Sequence, residues 1–159
     1  MSHSVRRATL HDLDQLVPLF DAYRQFYGQP SDLIIARQFL GDRLTRNESI
    51  VLVAENDGGA AVGFVQLYPT FSSILAAPMY VLSDLFVIPE FRRRGVGTLL
   101  LQSAMETARA AGVDRLELTT AIANVSAQRL YESLGWQRDE FYLYGLVLSQ
   151  SDGSQSFGA

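Results

Sequence analysis

The chain has 159 residues, 48% of them apolar, a net charge of −4 and no cysteine. One domain of this size can bury a substantial core, and the lack of cysteine excludes disulfides, thiolate metal sites and a cysteine nucleophile. His3 and His11 have no partner at metal-ligand spacing, so no metal is expected, and the mildly acidic balance argues against a nucleic-acid binder.

The densest apolar stretch, Ile74 to Leu82, is too short to span a bilayer and contains Pro78. Arg6 and Arg7 are followed by His11, Asp12 and Asp14 where a signal peptide would need apolar residues. The chain therefore reads as cytoplasmic, with no membrane partner.

In chain order, Val5 to Ala8 predicts a short strand. Thr9 can cap a helix that Asp12 and Asp14 favour at its positive end. Leu13, Leu16, Val17 and Phe20 follow helical spacing to about Tyr27, where Gly28 and Pro30 stop it. Ser31 opens a second helix with Leu33, Ala36, Phe39, Leu40 and Leu44 on its apolar side. Strands over Ile50 to Glu55 and Ala61 to Tyr68 are joined by the turn Asn56-Asp57-Gly58-Gly59. Residues 70–79 read as a connection, and Tyr80 to Ile88 as a fourth strand. A long helix follows from about Gly95 to Ala111, closed by Gly112. Arg115 to Thr120 reads as a fifth strand, Asn124 to Leu134 as a helix ending at Gly135, and Phe141 to Leu148 as a last strand. The Ser-, Gly- and Gln-rich stretch from Ser149 to Ala159 reads as a loose tail.

A long helix between strands four and five requires them to run parallel if they are neighbours. The expected fold is α/β: one domain over residues 1–148, its mixed sheet covered by helices on both faces.

The most informative segment runs from Asp84 to Thr98. It carries a buried strand into a helix through Arg92-Arg93-Arg94-Gly95-Val96-Gly97. Glycines there expose consecutive N–H groups at the positive end of a helix, which suits a phosphate. Arginines beside a helix start oppose its dipole and cost stability unless an anion compensates. Together they describe a pyrophosphate site. A dinucleotide fingerprint would need a third glycine where Leu100 stands, even though Glu117 sits at the acidic position.

That turn resembles the Gln/Arg-x-x-Gly-x-Gly/Ala signature of the GNAT acetyltransferase superfamily. A second block is similar to the same family: Asn124-Val-Ser-Ala-Gln-Arg-Leu-Tyr131, followed by Glu-Ser-Leu-Gly-Trp136. The order of elements matches that fold over residues 5 to 148. The resemblance implies acetyl-CoA as co-substrate, with Arg92, Arg93, Arg94, Gly95, Val96, Gly97 and Thr98 at its pyrophosphate. Leu85, Phe86 and Val87 would pair with the pantetheine arm between splayed strands four and five. Asn124 and Tyr131 would contribute from the helix of the second block, and a homodimer is implied. Within the superfamily, Ser83-Asp84-Leu-Phe-Val-Ile-Pro-Glu is most similar to the spermidine/spermine-type and small-amine enzymes, although related polyamine enzymes carry an acidic residue where Ser83 stands.

An amine attacking a thioester needs a neutral nucleophile, an oxyanion donor and a proton for the leaving thiolate. A backbone N–H of Phe86 or Val87 could serve the oxyanion. Tyr131 is the candidate acid: seven residues after Asn124, it lies within about 20° of the same helix face, and a phenol stays protonated at neutral pH. Ala127, Leu130, Tyr131 and Leu134 also form an apolar stripe, and Asn124 alone reads as a helix cap. Asp84 is the candidate base or anchor for a cationic amine. Tyr23, Phe26 and Tyr27 could line an amine pocket through cation–π contacts, with Phe71-Ser-Ser-Ile-Leu as the opposite wall. Tyr142 and Tyr144 suit sheet packing or a dimer surface. The alternative functions are an acyl-CoA sensor of the same fold without catalysis, and a nucleic-acid binder using the arginine run.

Overall fold

The structure, a computed structural model, describes residues 2–149. It contains two compact units, Met1–Leu118 and Thr119–Ala159. From Gln150 onward, the stretch expected as a tail lies outside the described residues.

The first unit holds a five-stranded sheet in sequential order: β1 Ser4–Arg7, β2 Ile50–Glu55, β3 Ala61–Ser72, β4 Ala77–Val87 and β5 Leu116–Glu117. The first four strands pair antiparallel, and β5 joins β4 in parallel, as the long intervening helix requires.

Helices α1 (Leu13–Phe26) and α2 (Leu33–Thr45) cover one face. Leu16, Val17, Phe20, Ala36 and Leu40 pack there against Val51, Val53, Phe64 and Phe86. Helix α3 (Val96–Ala110) buries Val96, Leu100, Leu101, Ala104 and Ala108 and packs on β1 to β4. Gly63, adjacent to Phe64 and so facing the other way, meets α3. A Cβ there would lie 3.3 Å from Leu100 and 2.8 Å from the Phe86 carbonyl, so the strand needs glycine at this crossing.

Several boundaries depart from the sequence reading. Thr9 caps a 3-10 turn, Leu10–Asp12, ahead of α1. Asp32, not Ser31, caps α2 by accepting from the Ile35 N–H. Ser31 instead donates to buried Asp21 at 2.7 Å. The expected connection at 70–79 is largely a continued hairpin: β3 runs to Ser72, β4 begins at Ala77, and Phe71 pairs with Pro78. Pro69 is tolerated because β2 ends its pairing at Leu67, leaving that side of β3 open. The fifth strand is curtailed to Leu116–Glu117.

In the second unit, α4 (Val125–Ser133) is capped by Asn124, whose side chain accepts from the Ala127 N–H at 3.3 Å. Phe141 to Leu148, expected as the last strand, forms no ladder among the described residues; alternation alone cannot make a strand without a partner.

Candidate active site

The site begins with an irregularity in β4. Gln66 pairs with Asp84, but the next residue, Leu67, pairs with Leu82, so Ser83 is an extra residue: a β-bulge. The bulge puts Asp84 on the face of Gln66 and Phe64, beneath α1, while Leu82 shares the face of Leu67.

Asp84 is 5% exposed and Gln66 fully buried. The Gln66 amide donates to the Asp84 carboxylate, while the Gln66 Oε1 has no partner among the described residues. Tyr23 reaches down from α1 and donates to the Ser83 carbonyl at 3.2 Å. Burial pushes the Asp84 carboxyl above its usual value, against the opposing pull of Gln66, Ser83 and Tyr23. Burial, and then the Asp84 charge, raise the phenols of Tyr23 and Tyr27 and push Tyr68 up to about 12. Three protonated phenols thus surround one buried carboxyl.

The aromatic residues expected at the end of the first helix are brought together. The Tyr23 and Tyr27 rings meet edge-on at 5.0 Å, Tyr27 and Phe26 at 5.2 Å, and Tyr23 contacts Phe86 at 6.4 Å. Phe26 is the exposed member of the group, at 58%. Phe71, expected as the opposite wall, instead sits at the hairpin tip, exposed, with no ring contact to this group among the described residues. Gln66 and Tyr68 were missed from sequence. The signal for Gln66 was a lone polar residue within the apolar run Val62 to Leu67, where burial demands a partner.

Beside Asp84 lies an open strand edge. Among the described residues, β5 pairs with β4 at Tyr80 and Val81 alone, so Leu82 to Val87 have β3 on one side and no paired strand on the other. The Ile88 N–H donates to Val62 O at 3.0 Å. Antiparallel alternation therefore turns the backbone N–H and C=O of Leu85 and Val87 toward the open side. Phe86 directs its own toward β3, so of the two expected oxyanion donors only Val87 faces the gap.

The strand leads into the glycine turn. Arg93 (φ 59°) and Gly95 (φ 82°) are both left-handed, a conformation costing roughly 1–3 kcal/mol for a non-glycine residue. Gly95 caps α3 with no side-chain hydrogen bond. The N–H groups of Val96, Gly97 and Thr98 make no hydrogen bond among the described residues, because the first helical bond is from the Leu99 N–H to Gly95 O. Arg92 does not simply join a phosphate cluster. Its Nε donates to Val87 O at 2.8 Å and its guanidinium lies over Phe86 and Phe26 at 5.5 and 5.8 Å, tying turn, strand and aromatic group together. Arg94 lies over Phe91 at 5.4 Å.

Asn124 and Tyr131 sit together on the second unit's helix, and the Tyr131 ring is tilted against Trp136 at 6.1 Å. The cap bond occupies the Asn124 oxygen, and its amide NH2 donates to no acceptor among the described residues.

Residues 13–136 match the acetyltransferase (GNAT) family. The chain belongs to that family. Membership makes it an acyltransferase, and the five-stranded mixed sheet is the GNAT fold. An uncharacterised N-acetyltransferase of Bacillus subtilis (strain 168), YhfO, is 43% identical over 141 residues, spanning 89% of this chain and 94% of that protein. A crystal structure of a probable acetyltransferase is 41% identical with a TM-score of 0.86, covering 93% of this chain and 99% of its own. AAC(6')-Iy, solved with the bisubstrate analogue CoA-S-monomethyl-acetylneamine, shares the fold at 22% identity and a TM-score of 0.76, covering 94% of this chain and 100% of its own. Among the described residues, no helix is long and apolar enough to cross a membrane and no three His, Asp or Glu side chains could hold a metal ion.

Proposed function

We propose that this GNAT enzyme transfers the acetyl group of acetyl-CoA to a small primary amine by direct attack in a ternary complex. The observation that carries the reading is the buried Asp84 carboxyl, ringed by Tyr23, Tyr27 and Tyr68, beside the open edge of β4. A carboxyl among aromatic rings favours an ammonium over a neutral or anionic acceptor. Polyamines, amino acids and lysine side chains all carry such a group.

In this reading the N–H groups of Val96, Gly97 and Thr98 and the charges of Arg93 and Arg94 hold the pyrophosphate. Leu85 through its N–H and C=O, and Val87 through its carbonyl, hydrogen-bond the pantetheine amides as a neighbouring strand would. Phe86 supports the arm through the position of its ring, and Arg92 keeps the turn joined to β4.

Asp84 accepts the ammonium proton, directly or through one water, leaving a neutral amine. The amine nitrogen attacks the thioester carbonyl, and the Val87 N–H stabilises the oxyanion. The C–S bond then breaks, the thiolate takes a proton from Tyr131, and the amide nitrogen sheds its remaining surplus proton to solvent. Solvent reprotonates Tyr131. We read residues 1–148 as one working domain, placed in the cytoplasm where acetyl-CoA is at hand.

The test combines calorimetry with acetyl-CoA and a thiol-release assay across diamines, polyamines, amino acids and a lysine peptide. Micromolar coenzyme binding and turnover with at least one cationic amine are expected. Coenzyme binding without turnover across the whole panel would falsify the acceptor assignment, and absence of binding removes the pyrophosphate site as well.

A further inference from the structure

Within the first unit, a cleft of about 450 Å³ opens where β1 passes into the 3-10 turn and α2 passes into β2. That volume falls within the roughly 300–1,000 Å³ of small-molecule sites. The cleft shares no residue with the Asp84 cluster or the glycine turn.

Its floor carries a polar group with nothing to bind. Ser49 and Val51 line the cleft while Ile50 and Leu52 do not, so the alternation of β2, carried back one residue, turns the Ser49 side chain inward. Ser49 is 3% exposed, and its hydroxyl makes no hydrogen bond among the described residues. A buried hydroxyl left unpaired costs free energy, and a bound partner removes that cost.

The rest of the lining says what the partner is. Arg7 and His11 stand exposed at the mouth. Asp12 and Glu55 are both held by the neighbouring Arg6, and Arg7 has no ion pair among the described residues. The Thr9 Oγ1 accepts from the His11 N–H at 3.3 Å, which leaves its own hydroxyl proton to donate. Asn47, left-handed at φ 54°, ends the turn after α2 and adds a side-chain amide. No Asp or Glu lines the cleft among the described residues, although the chain as a whole carries a net charge of −4. Ala8, Leu10, Leu44 and Val51 supply the apolar remainder. A permanent guanidinium charge, several donors and a hydrocarbon wall select an anionic head on a small apolar body.

We propose that this cleft is a second ligand site for a small organic anion. Its carboxylate or phosphate head is hydrogen-bonded by Ser49 and Thr9 and paired with Arg7, and its apolar body lies against Leu10 and Leu44. The site rests on none of the acceptor or coenzyme assignments above.

The test titrates the isotope-labelled full chain with benzoate and with phenyl phosphate, beside neutral benzamide, and follows the backbone amides by NMR. Saturable shifts centred on Thr9, Leu10, His11 and Ser49 are expected from at least one anion, and the tighter of the two names the head group. Benzamide should bind at least about tenfold more weakly. No saturable shift at these residues from either anion overturns the proposal, even where the glycine turn responds, and so does benzamide binding as tightly as the anions. Arg7→Ala should weaken the tighter anion at least about tenfold, and parent-like affinity overturns the site. In Ser49→Ala the thermal midpoint of the empty chain should hold or rise, while anion affinity falls about three- to tenfold. A lowered midpoint, meaning that the hydroxyl already has a partner such as an ordered water, overturns the proposal as well.

Discussion

Gln66 and Asp84 face each other across the β3–β4 pair, amide to carboxylate, both buried. A buried carboxyl with one good donor is held between two costs: ionised it is poorly solvated, and protonated it no longer attracts a cation. The proposed transfer of a proton from an ammonium to Asp84 would use that balance.

Replacing Asp84 by Asn removes the titrating group and keeps its shape. The unpartnered Gln66 Oε1 can then accept from the new amide. Because the folded carboxyl titrates above its unfolded value, its cost to stability grows as pH rises from about 4 and is complete above the raised value. The Tm of Asp84→Asn minus that of the parent chain should therefore increase between pH 4 and 7. At the same time kcat/KM should fall about 100-fold or more, and the acidic limb of its pH profile should vanish. An unchanged limb assigns it to another group.

Replacing Gln66 by Leu deletes the donor and leaves the carboxyl buried. The acidic limb should move to higher pH, since the lost hydrogen bond had been holding the carboxyl down. Denaturant unfolding should show a loss of about 1–3 kcal/mol at neutral pH. A pH profile superposable on that of the parent would show that the contact does not tune Asp84.

Replacing Gly97 by Leu places a side chain among the open N–H groups at the start of α3. Calorimetry should show CoA affinity weakened at least about tenfold, with the thermal midpoint little changed. Parent-like affinity would move the pyrophosphate elsewhere.

Replacing Tyr131 by Phe keeps the ring against Trp136 and removes the proton. Turnover should drop about 10- to 100-fold while the Kd for CoA stays within about twofold. Equal losses in both would make Tyr131 a coenzyme contact and not the acid.

Replacing Gly63 by Ala drives a methyl against the Phe86 carbonyl, which lies 2.8 Å from the Cβ position. Backbone cannot give way cheaply, so unfolding should register a loss of about 1–3 kcal/mol. Because Phe86 forms the floor beneath Tyr23, the KM for the acceptor should rise too.

The order of elements, the parallel join of β4 and β5 and the glycine turn were legible because each follows from local chemistry: apolar period, capping residues and turn glycines. The extent of the β3–β4 hairpin was not. Its turn carries Ala76 at φ 50° with no glycine to mark it, and Pro69 disguises an open strand side. The bulge was equally hidden, since strict alternation would place Leu82 and Asp84 on the same face. Ser83 interrupts that alternation, so the pairing with Gln66 appears only once the strands are in register. Phe141 to Leu148 has a strong strand pattern, but pairing is a property of two strands, and a periodicity names only one of them.

The left-handed backbone of Arg93 and Gly95 has a consequence for the economy of the whole fold. With the coenzyme held there as proposed, the chain spends part of its folding free energy on shaping a receptor in advance, so a guest entering the turn need not freeze it. Relaxing that shape, as Arg93→Gly would, trades in the opposite direction: a sturdier empty protein with a looser grip and faster exchange of whatever the loop holds.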